Sequence, residues 1–214
     1  HMKTILLFGD SNTWGFTPIT AERYDAHTRW GGVCRDVLGS GYHVIEEGLG
    51  GRTTTFDDPV EGGETRNGLK YLIPCLDSHR PLDLVAIMLG TNNLKQRFAL
   101  SASDIALSAG RLVDAVLMSG AGPNGHAPHM LLICPPPVAP LAGTPFELMF
   151  EGAEAKSRQL SAHYQQIAAL KGINFFDAGS VVTSSRLEAI HLDADQQITL
   201  GGSVALVIRK ILEG

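Results

Sequence analysis

No run of lysine or arginine occurs anywhere in this 214-residue chain. Its 17 basic residues are scattered and outnumbered by 22 acidic ones, for a formal net charge of −5. A negative chain without a basic stripe has no electrostatic footprint for nucleic acid or for an anionic membrane surface. Long apolar runs are missing too: none approaches the ~20 residues of a bilayer-spanning helix, so no membrane partner is expected. Cysteine is scarce. Cys34, Cys75 and Cys134 each sit inside an apolar segment, with neither CxxC nor metal-like spacing, and read as buried free thiols of a reducing cytoplasm. The N-terminus lacks the long apolar region of a signal peptide, because the polar Gly9-Asp10-Ser11 arrives too early, and His1-Met2 reads as the remnant of an expression tag. A cytoplasmic location is therefore expected. Internal repeats, low-complexity tracts and linkers are absent, which predicts one domain over residues 3–214.

What the chain does have is material for a core, with 44% hydrophobic residues against 18% charged. Short apolar runs rich in β-branched residues recur at 4–8, 43–46, 84–89, 130–134 and 173–176. Between and after them, segments with helical spacing cover 30–38, 68–79, 102–119, 153–170 and 196–212. Strands alternating with helices predict an α/β fold, a parallel sheet with helices on both faces. A strand as continuously apolar as "LVAIML" suits a sheet covered on both sides.

The connections after the strands carry the chemistry, since ligands bind at the carboxyl ends of the strands in such folds. They read Gly9-Asp10-Ser11-Asn12, then "EGLGGRTT", then Gly90-Thr91-Asn92-Asn93, then "PPPVAPLAGTP". Near the far end, "EAIHLDAD" precedes the last helical segment. A serine hydroxyl attacks an ester only if a base takes its proton and hydrogen-bond donors stabilise the oxyanion that forms. Ser11 can be the nucleophile, His191 the base, and Glu188, three residues earlier, the acid that fixes the imidazole tautomer. The oxyanion donors would be the backbone N–H of Ser11, the backbone N–H of Gly51 (favoured over Gly50 by its spacing to Thr53) and the side-chain amide of Asn92.

Gly9-Asp10-Ser11, Gly51, Gly90-Thr91-Asn92 and Glu188-x-x-His191 follow, in order, the four sequence blocks of the SGNH (GDSL) hydrolases, and the chain resembles that family. The strings "FGDSNTWGF", "VIEEGL", "LDLVAIMLGTNN", "FEGAEAK", "FFDAGSV" and "IHLDA" are similar to its bacterial arylesterase/acyltransferase branch, which includes carbohydrate acetylesterase-like members. The resemblance runs over nearly the whole chain from Lys3. It implies a flavodoxin-like three-layer α/β/α fold with a parallel five-stranded sheet. It further implies a serine esterase for short acyl esters of aryl alcohols or carbohydrates, with acyl transfer to alcohols or peroxide where water is excluded. The partner is a small-molecule ester; neither a metal nor an organic cofactor is expected, and members often form homo-oligomers. Two positions depart from the family pattern. Glu188 stands where Asp is usual, one methylene longer. Asn93 stands where Asp usually ends the third block, which should alter loop hydrogen bonding more than catalysis.

Each residue also has a plainer reading. Ser11 after Gly-Asp could be a turn or cap serine, and Asn92 could bond only its own loop. Glu188 could be a solvated charge, with Asp193 and Asp177 as rival acids. Asp193 is expected to cap the last helix, with Gln196 completing a capping box, and Asp177 to be structural. Asp10 is expected to bind loop amides rather than to act on substrate. The histidines at 27, 43, 79, 126, 129 and 163 show no comparable partners in sequence. "HLDAD" has metal-ligand types but no second cluster. Asn12, Phe16 and Phe150 are the substrate-pocket candidates, Trp14 is read as packing, and the apolar connection 143–152 as part pocket wall, part subunit contact. A thioesterase or lysophospholipase is the nearest alternative. A non-catalytic flavodoxin-like binding domain is disfavoured by the absence of Gly-rich phosphate motifs.

Overall fold

The computed structural model describes residues 2–214. Five strands, β1 (Lys3–Gly9), β2 (Tyr42–Gly48), β3 (Leu84–Met88), β4 (His129–Cys134) and β5 (Asn174–Asp177), form one sheet in the order β2-β1-β3-β4-β5. Every pairing is parallel. Around the sheet lie α1 (Ser11–Trp14), α2 (Trp30–Leu38), α3 (Gly68–His79), α4 (Ala102–Met118), α5 (Ala153–Lys171) and α6 (Ala194–Glu213).

Alternate residues of each central strand feed two separate cores. On one face Leu6, Phe8, Val85, Ile87 and Leu132 pack with side chains of α3, α4 and α5. On the other, Ile5, Leu7, Ala86 and Ile133 meet Trp30 and Cys34 of α2 and Leu200, Val204 and Ile208 of α6. Burying each such side chain contributes about 1.5–3 kcal/mol, so both helical layers are bound firmly to β1, β3 and β4. This two-sided cover is why "LVAIML" needs no polar alternation.

The expected elements appear with small boundary differences. Helices α2 and α3 match residue for residue, because Gly39 stops the first and the Asn67 side chain caps the second by accepting from Leu69 and Lys70 N–H. Helix α6 starts two residues early, at Ala194. Asp193 holds its N-cap position, but its side chain makes no capping bond. The expected capping box does not form: Gln196 Oε1 instead accepts from Thr183 N–H at 2.8 Å.

Chain order places the site. β1 lies inside the sheet, β2 was laid down on one side of it and β3 on the other, so the connections leaving β1 and β3 diverge. The crevice they leave, at the carboxyl ends of the strands, is the topological switch point of a doubly wound sheet. Ser11 and Asn92 stand on the two sides of that crevice, immediately after β1 and β3.

Candidate active site

Strand β1 ends at Gly9, where a Cβ would stand 2.0 Å from Thr13 Oγ1 and 3.0 Å from the Met88 carbonyl oxygen. Only glycine lets the chain turn that closely into the single helical turn of α1. Asp10 is the N-cap, its Oδ1 accepting from Asn12 N–H at 3.0 Å, the loop-amide role expected of it. Ser11 follows as the first helical residue, with its backbone N–H directed out of the turn and donating to no other group among the described residues.

His191 comes from the irregular segment before α6. Its Nε2 lies 2.9 Å from Ser11 Oγ, and its Nδ1 lies 2.7 Å from Glu188 Oε2. The extra methylene of Glu188 is accommodated by the loop itself. Glu188 Oε1 accepts from the N–H groups of Ile190 and His191 while Oε2 faces the imidazole. Ala189 sits between them at φ 78°, a left-handed conformation rare for a residue with a Cβ. Such strain persists only where the surroundings impose it, and here the bonds of Ala189 N–H to the Ser185 carbonyl and of the Ile190 and His191 N–H groups to Glu188 Oε1 hold the turn. Burial pushes that carboxyl up, but the His191 side chain and the two backbone amides outweigh burial and hold it below its ordinary value. An ionised Glu188 accepting the Nδ1 proton leaves Nε2 as the acceptor facing Ser11.

Asn92 Nδ2 donates to the carbonyl of Arg52 at 3.1 Å, leaving its second N–H for the cavity. That bond ties the β3 loop to the residue after Gly51, so two of the three expected oxyanion donors are fixed relative to each other. Gly51 adopts φ 78°, and its N–H also donates to no other group among the described residues. Asn93, where an Asp was expected, is spent on loop structure: Nδ2 donates to Thr54 Oγ1 at 2.7 Å and Oδ1 accepts from Thr54 N–H at 3.1 Å.

Ser11, Gly51, Asn92 and His191 line one cavity of about 360 Å³, walled by Phe16, Phe146, Met149 and Phe150. The Phe16 ring stacks on the His191 imidazole at 4.1 Å between centroids, and Phe146 meets it edge-on at 5.9 Å. Two of the three pocket candidates thus belong to the wall. Asn12 does not: it is buried under the site, its Nδ2 donating to Ile190 O at 3.3 Å and its carbonyl accepting from Gln197 Nε2 at 3.1 Å. It braces the turn that carries Ser11 against the loop that carries His191, a partner 178 residues away that no local pattern signals. Within 143–152, Phe146, Met149 and Phe150 are wall, whereas Leu148 is 81% exposed. Trp14 packs under the Arg23 guanidinium, and Asp177 is structural, accepting from Ser161 Oγ and Gly179 N–H.

Two of the other histidines meet a carboxylate, with no serine bonded to the ring among the described residues: His27 meets Asp36 at 2.7 Å and His79 meets Glu47 at 3.0 Å. Glu47, Cys75 and His79 also bring ligand-type atoms within 4.8 Å of one another. Positive charge is already supplied there by Arg52, which donates to the Glu47 carbonyl and stacks on Tyr71. The sequence reading missed the three charged residues of the cavity, Glu61, Arg66 and Lys95. Lys95 is paired with both the buried Asp58 and Glu61.

Asp10 has a cost that can be measured. Desolvation raises its carboxyl from 3.8 to about 6, against opposing contributions from the Asn12 amide, His191 and Arg52. A folded value above the unfolded one means that burial favours the neutral acid. The penalty is absent below about pH 4, grows as the pH rises towards about 6, and is constant above that. Asp10→Asn removes it. In urea denaturation, the stability of the variant relative to wild type should rise by about 2–3 kcal/mol between pH 4 and pH 7; a difference independent of pH would contradict this account.

The strand order and the serine, histidine and asparagine clustered at its switch point are those of an SGNH-type hydrolase. The family profile described as GDSL-like Lipase/Acylhydrolase matches residues 7–200, and the chain belongs to that family of carboxylic ester hydrolases. Its structure is similar to that of an aryl esterase from M. smegmatis, at 43% identity and TM-score 0.93 over 98% of this chain and 100% of the other. It is also similar to Est24, a carbohydrate acetylesterase from Sinorhizobium meliloti, at 42% identity and TM-score 0.92 over 98% of this chain and 99% of the other. A further carbohydrate acetylesterase family member from Sinorhizobium meliloti shares 36% identity at TM-score 0.93, with full coverage of both chains. No curated protein sequence matches. No helix among the described residues is long and apolar enough to cross a membrane.

Proposed function

We propose that this esterase hydrolyses short-chain, acetyl-type esters of aryl alcohols or carbohydrates through an acyl-enzyme on Ser11. The observation that carries the reading is the continuous relay of Ser11 Oγ to His191 Nε2 at 2.9 Å and His191 Nδ1 to Glu188 Oε2 at 2.7 Å, opening on a small aromatic cavity. His191 takes the Ser11 proton as Oγ attacks the ester carbonyl. The N–H groups of Ser11 and Gly51 and the Asn92 amide receive the oxyanion. His191 then returns the proton to the leaving alcohol, and water activated by the same imidazole releases the acid. An alcohol or peroxide in place of that water gives acyl transfer, which the aromatic cover over His191 favours by limiting water.

A cavity of about 360 Å³ is at the small end of ligand pockets. Release of p-nitrophenol from its acetate, butyrate and octanoate esters tests the reading. Rates should fall steeply with chain length, and Asn92→Ala should lower turnover of the acetate by roughly 10²–10³, the usual loss for one oxyanion donor. A preference for octanoate would redirect the assignment to a thioesterase or lysophospholipase.

The same proposal extends to assembly and location. The exposed Leu148 beside the cavity wall supports a homo-oligomer whose neighbour adjoins the entrance. The buried free thiols of Cys34, Cys75 and Cys134 support a reducing cytoplasm.

A further inference from the structure

Among the described residues, Arg66 is the cation of the cavity wall that has no carboxylate partner. The other, Lys95, belongs to a closed set: Lys95 and Arg97 both pair with Asp58 and with Glu61, two cations against two anions. Glu64, close to Arg66 in sequence, is taken by Lys70 at 3.4 Å. Of the five N–H donors of a guanidinium, Arg66 uses one, from Nη1 to Thr65 Oγ1 at 2.8 Å. The side chain lines the cavity that Ser11, Gly51 and Asn92 share.

The side chain is also held in place. A Cβ on Gly51 would meet Arg66 Nε at 3.2 Å and Cδ at 3.3 Å, and a Cβ on Gly62 would meet its Cγ, Cζ and Nη1 at 3.0 Å. Both glycines have φ near +80° (78° and 80°). The Arg66 side chain packs against both, at positions whose positive φ favours glycine. The Arg66 carbonyl is anchored as well, accepting from Thr53 N–H at 2.8 Å. A positioned, unpaired guanidinium next to an oxyanion donor is a recognition group for a planar anion. The whole chain carries −5, so any preference for an anionic substrate must come from a local cation rather than from the overall field.

We propose that Arg66 determines specificity by selecting esters whose alcohol portion carries a carboxylate, that is, O-acylated hydroxy acids. The inference rests on the esterase reading above and names the substrate class of the same site. The ester carbonyl lies between Ser11, Gly51 and Asn92, and the carboxylate of the alcohol side reaches the Arg66 fork.

The test compares 4-acetoxybenzoate with its uncharged methyl ester as substrates, and 4-hydroxybenzoate with its methyl ester as calorimetric ligands. Wild type should favour the acid over the methyl ester in both assays. Arg66→Gln should lower kcat/KM for the acid about tenfold more than for the methyl ester, with the loss in KM, as when a charge-assisted hydrogen bond is removed. Arg66→Lys should restore part of the preference, and added salt should weaken it. Equal losses on both esters would make Arg66 a packing group against Gly51 and Gly62 and overturn the proposal, as would an unchanged preference in Arg66→Gln. Wild type inert on both esters would sink the esterase reading instead, and the calorimetric comparison would still decide the role of Arg66.

Discussion

Replacing Ser11 by alanine should reduce release of p-nitrophenol from the acetate ester by roughly 10⁵–10⁶, the scale seen when a serine nucleophile acting with its base is removed. The loss is in chemistry rather than in folding. Only Oγ is deleted; the backbone of α1 is set by Gly9, by the Asp10 cap and by the bonds of Gly15 and Phe16 N–H to the Ser11 carbonyl. Far-UV circular dichroism and the denaturation midpoint should therefore stay close to wild type. The oxyanion donors remain in the variant, because two of them are backbone or side-chain groups of Gly51 and Asn92 and the third is the Ser11 N–H itself. A residual rate above that in buffer is accordingly expected, through water activated by His191. Retention of activity within tenfold of wild type would return Ser11 to the status of a turn residue and remove the acyl-enzyme mechanism.

The strands, the helices and most of the residues that meet at the cavity could be read from the sequence because their signals are local. β1 is apolar up to a glycine that must turn, α3 opens on an asparagine cap, and β1, β2 and β3 are each followed by glycine and small polar residues. The Glu188-x-x-His191 spacing lets one carboxylate reach both its own loop amides and the imidazole, so even the departure from Asp was legible as chemistry. What was illegible is long-range. Asn12 looks like a pocket residue from its place beside Ser11, yet its direction is decided by Ile190 and Gln197. Gln196 fits a capping box, but the Thr183 amide, brought near by the turn before the histidine loop, wins it. Arg66 sits in a stretch of charged and glycine residues that reads as a solvated loop. Its importance depends on Gly51 and Gly62 packing against it and on Glu61 and Glu64 being occupied elsewhere, which only the folded arrangement decides.

Glu188→Gln should be the second most damaging change, lowering turnover on the order of 10⁴. Glutamine keeps the volume and can still accept from Ile190 and His191 N–H through its oxygen. The atom then left facing Nδ1 at the position now 2.7 Å away is an NH₂ donor, so the imidazole must accept at Nδ1 and carry its proton on Nε2. In that tautomer Nε2–H points at Ser11 Oγ and can take no proton from it. The lost negative charge also leaves the imidazolium of the transition state without a counter-ion in a buried site, where such charges matter most. Glu188→Asp separates the two causes. It restores the charge and the correct tautomer but shortens the reach, so it must give up part of the amide or the imidazole contact; it should exceed Glu188→Gln by at least about tenfold. Because the folded protein holds the Glu188 carboxyl below its ordinary value, the hydrogen bonds that its ionised form accepts stabilise the fold above the unfolded carboxylate pKa and are lost as the pH falls through the lower folded one. Wild type should thus lose more stability than Glu188→Gln on acidification. A Glu188→Gln enzyme within tenfold of wild type would show that another group orients His191. Asp193 would be the first to examine, since Asp177 is already committed to Ser161 and Gly179.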